Sequence, residues 1–161
     1  MSNYSRNLLR DRDYTRYVLT FFVPRKVRTD MIALLALNVE LETIPNKTKD
    51  PMAGLIRIKW WRDQIDLIYT NAVHSPSPIL EEIKRVIETH KIPQILFHDL
   101  CECYETILRG TPTDPDDSIY ALCGAILHDK KSKDKFSKKL YLHDTLAENT
   151  KFRTFRLWLG V

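Results

Sequence analysis

The sequence predicts an all-α fold, and three observations predict it. Apolar residues recur at three- and four-residue intervals along nearly the whole chain. Proline directly follows a capping residue at Asp50-Pro51, Ser77-Pro78 and Asp114-Pro115, the pattern of a helix start. No alternating apolar and polar run is bounded by hairpin turns, and only short stretches such as VLTFFV would serve equally well as strands.

In chain order, Tyr14, Tyr17, Val18, Phe21 and Phe22 fall on one helical face, and Pro24 ends that segment. Val27, Met31, Leu34, Leu35, Asn38 and Leu41 repeat the spacing in a second helix, which Ile44-Pro45 is expected to cut. Asp50-Pro51 opens a third through Leu55, Ile58, Trp61, Ile65 and Ile68, and Ser77-Pro78 a fourth through Ile79, Ile83, Val86 and Ile87. Pro93 opens a fifth that ends at Gly110, a residue suited to the left-handed position after a helix. Asp114-Pro115 opens a sixth. Phe136, Leu140 and Leu146, then Phe152, Phe155, Trp158 and Leu159, indicate one or two more.

A chain of 161 residues is long enough for one domain with a sizeable core and too short for two, so residues 1–161 are expected to form a single domain. The net charge of +4 is unevenly spread: Arg6, Arg10, Arg12, Arg16, Arg25, Lys26 and Arg28 crowd the first segment, and Lys130 to Lys139 a late one. Such clusters can meet phosphates or anionic lipid, although solvated helix faces are the commoner outcome. Three cysteines, Cys101, Cys103 and Cys123, give neither a disulfide framework nor zinc spacing and fit a reducing cytoplasm. No apolar run approaches a membrane span, and Asp11 and Asp13 among the early arginines argue against a transit peptide. Nucleic acid is not among the expected partners.

Candidate chemistry is sparse. Glu40 and Glu42 stand two apart on a helix, about 200° around the axis, and cannot chelate one ion together. A Mg²⁺ site for a diphosphate needs carboxylates three or four residues apart on one face, and after Glu42 those positions hold Pro45 and Asn46. In LIRIKWWRDQIDLIY, Lys59 with Asp63 and Arg62 with Asp66 are spaced as surface ion pairs. The paired tryptophans beside arginine there could also line a groove for an apolar substrate with an anionic head. Glu102 and Glu105 share a face but are expected to meet water, and Asp114, Asp116 and Asp117 to cap a helix. The five histidines show no ligand spacing. No P-loop, GxGxxG or Ser-His-Asp grouping is present.

The runs RYVLTFFVPRKVRTDMIALLALNVELETI, DPMAGLIRIKWWRDQIDLIY and HSPSPILEEIKRVIETHKIP resemble, in order and spacing, the squalene/phytoene synthase family. The matching features are Pro24 with Arg28, the helix up to Asn38-Val39-Glu40-Leu41, the Gly54…Arg57…Trp60-Trp61-Arg62 helix and the His74…Pro78 turn, over residues 13 to 110. The resemblance implies an isoprenoid-synthase-like helical bundle, here C-terminally short. In active members two aspartate-rich motifs hold prenyl diphosphates through Mg²⁺ and join them with release of diphosphate.

Both motifs depart from that pattern. Where the first belongs, this chain has Glu42-Thr43-Ile44-Pro45-Asn46, and the segment LYLHDTLAENTKFRTFRLWLGV contains no DxxxD. The wording NVELETI and IRIKWWRDQI resembles the non-catalytic branch, which includes a mitochondrial complex I assembly factor. The expectation is a pseudoenzyme without cofactor that acts as a binding or assembly protein, with respiratory-complex proteins, an isoprenoid lipid or a membrane surface as partners. It would be cytoplasmic or peripheral to the inner membrane, touching it through Phe152, Arg153, Phe155, Arg156 and Trp158. Should a diphosphate or prenyl groove be retained, the resemblance assigns it to Tyr17, Arg28, Glu42, Arg57, Trp61 and Arg62, with Glu42 as the metal ligand. The alternative is an active prenyl transferase that uses Mg²⁺ and borrows carboxylates such as Asp99 or Glu102.

Overall fold

In the computed structural model, residues 3–127 are described, and among them the chain forms seven α-helices, one 3-10 turn and no strand. The expected helices around Phe136 and Trp158 and the basic, aromatic tail lie outside the described residues.

The first helix, α1 (Asn3–Arg12), was not expected, because only Ser5 and Leu9, one turn apart, are buried in an otherwise polar segment. Asp13 ends it and caps the next: its backbone N–H donates to the Leu9 carbonyl at 2.8 Å, and its side chain accepts from the Arg16 N–H at 2.9 Å. Helix α2 (Tyr14–Leu19) then tightens into a 3-10 turn at Thr20–Phe22 before Pro24. The expected aromatic face is only partly inward, since Phe21 and Phe22 are each 50% exposed.

Helix α3 (Arg25–Lys47) is the axis of the fold. Every residue from Asp30 to Val39 is buried, as expected of a helix surrounded by others, and α1, α4, α5, α6 and α7 all pack on it. Pro45 does not cut this helix, which runs on to Lys47 with the proline in its last turn. At that position the missing N–H forfeits a single bond to the Leu41 carbonyl, and the turn still closes with Thr48 N–H donating to the Ile44 carbonyl at 3.0 Å.

Helix α4 (Pro51–Tyr69) begins as predicted, with the Asp50 carboxylate accepting from the Met52 N–H at 3.0 Å. It packs most extensively on α6 (Gln94–Leu108), where Gly54 permits the approach: a Cβ there would lie 2.6 Å from Leu108 Cδ2. Helix α5 (Pro78–His90) closes against α3 and ends on Lys91 in the left-handed conformation, φ 53°. Buried Asp30 of α3 ties the two helices, held by Arg85 at 2.5 Å and His90 at 2.7 Å. After α6, Gly110 takes φ 86°, and α7 (Asp116–Ala125) follows, its first N–H capped by Asp114 at 2.9 Å.

Candidate functional site

A cluster of polar side chains lies where α2, α3, α6 and α7 converge. Arg16 is their centre. It is 9% exposed, and its guanidinium binds Asp13 at 2.9 Å and Asp116, one hundred residues away in sequence, at 2.5 Å. Asp116 also accepts from the Tyr120 hydroxyl at 3.0 Å. Burial alone would lower the Arg16 pKa, but the Asp13 and Asp116 carboxylates outweigh it and raise the value above that of a free guanidinium.

Helix α3 presents Asn38 and Glu42, one turn apart, to this cluster. Asn38 is 1% exposed, and its Oδ1 accepts the Tyr104 hydroxyl of α6 at 2.9 Å. Burial raises the Tyr104 pKa, so the phenol stays a neutral donor. Glu42 keeps contact with solvent, yet the protein around it desolvates its carboxyl and raises its pKa; Arg16 opposes that rise, and Asp13 and Asp116 add to it.

The other residues expected at a site are dispersed. Tyr17 stacks between Tyr14 and the edge of Phe21, at 6.2 and 5.3 Å between ring centroids. Arg28 clamps the 3-10 turn by donating to the Thr20 and Phe21 carbonyls at 3.0 and 3.1 Å, its guanidinium 5.2 Å over the Phe21 ring. Arg57 and Trp61 do come together, in a groove of about 450 Å³ with Glu40, Thr43, Ile44, Lys47 and Trp60. Glu40 sits in that groove and accepts the Tyr4 hydroxyl at 2.9 Å, whereas Glu42 faces Arg16, as their angular separation requires.

Arg62 does not pair with Asp66. It crosses to Glu105 of α6 at 3.1 Å, and Asp66 instead accepts from Gln94 and binds His98, at 2.7 and 2.6 Å. The Lys59–Asp63 pair forms as expected, at 2.8 Å. Glu105 is thereby withdrawn from the face it was expected to share with Glu102. Asp116 likewise belongs to Arg16 as well as to the start of its helix. All three cysteines are free, and burial pushes the Cys101 and Cys123 thiols up to about 12, so both are inert at neutral pH.

A Mg²⁺ ion, as the family resemblance would require, does not fit these residues. Among the described residues no three His, Cys, Asp or Glu side chains stand together as a ligand set. Beside Glu42, the helix offers only an amide already engaged by Tyr104, and the nearest carboxylates enclose a guanidinium. Asp99 and Glu102 do not supply the deficit, because they lie about 140° and 160° around α6 from Tyr104, the residue that faces α3. Sequence reasoning missed Arg16 as the centre. The Asp13 cap was a local signal for it, but the Asp116 contact is not a sequence-local one.

Comparison with known proteins agrees with this architecture. The squalene/phytoene synthase family matches residues 9–123. Among curated proteins, the bovine (Bos taurus) NADH dehydrogenase (ubiquinone) complex I, assembly factor 6 is 34% identical over 90 residues, 55% of this chain and 26% of its own length. The human (Homo sapiens) protein of the same name is 32% identical over 91 residues, 56% of this chain and 27% of its length. The Drosophila melanogaster homolog is 27% identical over 121 residues, 72% of this chain and 35% of its length. The chain thus spans about a quarter to a third of the curated relatives it matches. No solved structure matches it. With five helices packed on α3 among the described residues and the family pattern covering most of the chain, this protein belongs to the squalene/phytoene synthase family.

Proposed function

We propose that this chain is a non-catalytic member of the family that acts by binding, as an assembly-type protein, and that its partners are components of respiratory complex I. One observation carries the first half of this reading. The acidic cluster beside Glu42 already contains a cation, the Arg16 guanidinium, covalently tethered and held by two carboxylates. A divalent ion would have to displace it or accept its repulsion at close range, and the cost of parting a largely buried ion pair is several kcal/mol, on the order of 3–5. Condensation of prenyl diphosphates needs that ion to neutralise the leaving group.

The second half rests on the relatives, since the bovine, human and Drosophila melanogaster proteins all carry the complex I assembly factor name. The test is proximity cross-linking of the tagged chain in its own host cells. Subunits of the NADH dehydrogenase complex are expected among the cross-linked proteins, enriched over a tagged control of equal abundance. Their absence would remove the assembly role while leaving the non-catalytic reading to be judged separately.

A further inference from the structure

The groove between α3 and α4 carries charges of both signs that do not cancel one another. Its volume of about 450 Å³ is usual for a small-molecule site. Ile44 and Trp61, 6% and 9% exposed, lie at its base. Glu40 and Lys47 line it from α3, about two turns apart, and Arg57 and Trp60 line it from α4. Nearby charges are matched, Lys59 with Asp63 at 2.8 Å and Arg62 with Glu105 at 3.1 Å. Among the described residues Glu40 forms no ion pair with Lys47 or Arg57, so one groove presents both signs to a ligand.

The Oε1 atom of Glu40 accepts the Tyr4 hydroxyl at 2.9 Å, which orients the carboxylate and leaves its remaining lone pairs for other donors. Trp60, 40% exposed, meets Trp61 edge to face at 5.1 Å between centroids, with the ring planes 79° apart. Planes so inclined cannot sandwich a flat ligand, and stacking falls to Trp60 alone. Thr43 adds no donor, because its hydroxyl is engaged by the Val39 carbonyl at 2.7 Å.

We propose that this groove binds a guanine mononucleotide, with the base stacked on Trp60, its N1–H and amino group donating to Glu40, and the 5′-phosphate held by Arg57 and Lys47. Guanine alone among the standard bases sets two donors side by side on its pairing edge, the match for a carboxylate. Adenine and cytosine place a ring acceptor beside the amino group, and uracil flanks its N–H with carbonyls. Arginine takes a phosphate bidentately and lysine takes it as a point charge, while an aromatic ring accepts a base by its face. A purely anionic ligand would be repelled by Glu40, and an apolar chain would leave all three charges unmatched. A nucleotide uses every one of them. The groove lies on the other side of α3 from Glu42, since residues two apart differ by about 200°, and so is separate from the position of the family's first metal motif. The inference goes beyond the assembly reading and stands whichever proteins the chain binds.

The experiment is equilibrium dialysis of the full chain against radiolabelled guanosine 5′-monophosphate (GMP), adenosine 5′-monophosphate (AMP) and guanosine, without divalent metal. GMP is expected to bind at least about tenfold more tightly than AMP, the discrimination of one bidentate base contact. It is expected to bind more tightly than guanosine by a margin that shrinks with salt. Glu40→Gln should bring GMP down to the level of AMP. Arg57→Gln should bring it toward guanosine with the preference for guanine kept. Trp60→Ala should weaken GMP and AMP alike, by about tenfold. All three side chains are at least partly exposed, and circular dichroism verifies that each variant is folded. Absence of saturable GMP binding overturns the proposal. So does equal binding of GMP and AMP, or an affinity for GMP that Glu40→Gln leaves unchanged. Displacement of GMP by inorganic phosphate at equal concentration would reduce the site to a pair of cations and overturn it as well.

Discussion

Among single residues, Arg16 and Tyr104 decide what the interior can do. Tyr104 donates to Asn38 in a pair that is almost wholly buried. Tyr104→Phe keeps the ring and deletes the donor, leaving the Asn38 oxygen unsatisfied, and should cost about 1–3 kcal/mol in urea unfolding. A loss within a few tenths would mean that the amide finds another partner. Glu42 gives a pH-dependent counterpart. Its carboxyl faces Arg16, Asp13 and Asp116, and its pKa in the fold is raised, so the native state favours the protonated form. Stability contributed by that residue is therefore present below the ordinary carboxylate pKa and is lost as pH rises through the folded value. Glu42→Gln stays neutral throughout, so its melting temperature relative to the parent should rise between about pH 4 and pH 7. A difference that falls over that interval would show that Arg16 holds Glu42 ionised. Neither role could be read from spacing alone. Asn38 looked like one more inward position of a helix, and Asp116 like one of three acids at a helix start.

At the level of elements, the chain announces its helices where local chemistry does the work. Asp50-Pro51 and Asp114-Pro115 start helices as read, because a carboxylate cap and a proline without an N–H satisfy a first turn by themselves. The other breaks, at Pro24, Ser77-Pro78 and Pro93, were legible from proline alone, since no side chain caps the helices that begin there. What was not legible depended on contacts from elsewhere. Helix α1 has two buried residues, too few to make a periodic stripe, and exists by docking Leu9 against α3. Pro45 was expected to stop α3, but a proline in the last turn removes only one bond, and the buried Ile44 beside it holds the turn. The C-terminus of α5 offers a test of local strain. Lys91 is exposed and left-handed, at φ 53°, where a side chain is disfavoured and glycine is not. Lys91→Gly should raise stability by up to about 1 kcal/mol, read as a higher denaturant midpoint at unchanged slope. A lower midpoint would mean that the lysine side chain contributes more than its backbone costs.

For the whole molecule, the arrangement is a helical bundle of the squalene/phytoene synthase family in which the interior polar groups around Arg16 bind one another. Helix α3 presents one amide, Asn38, and one carboxylate, Glu42, and the neighbouring acids Asp13 and Asp116 are paired with Arg16. The family and the outline of the bundle were legible in the sequence because the α3 and α4 runs keep their order and spacing. The Arg16 cluster was legible only as missing acids, since Arg16 meets Asp116 from one hundred residues away. The most direct measurement is a thermal-shift titration of the purified chain with farnesyl diphosphate, with and without Mg²⁺. Any ligand that binds the native state raises the midpoint by mass action, about 2.7 kcal/mol of stabilisation at a hundredfold excess over its dissociation constant. The account predicts no rise that depends on Mg²⁺. A midpoint that climbs with farnesyl diphosphate only when Mg²⁺ is present would reveal a working metal-diphosphate site and contradict it.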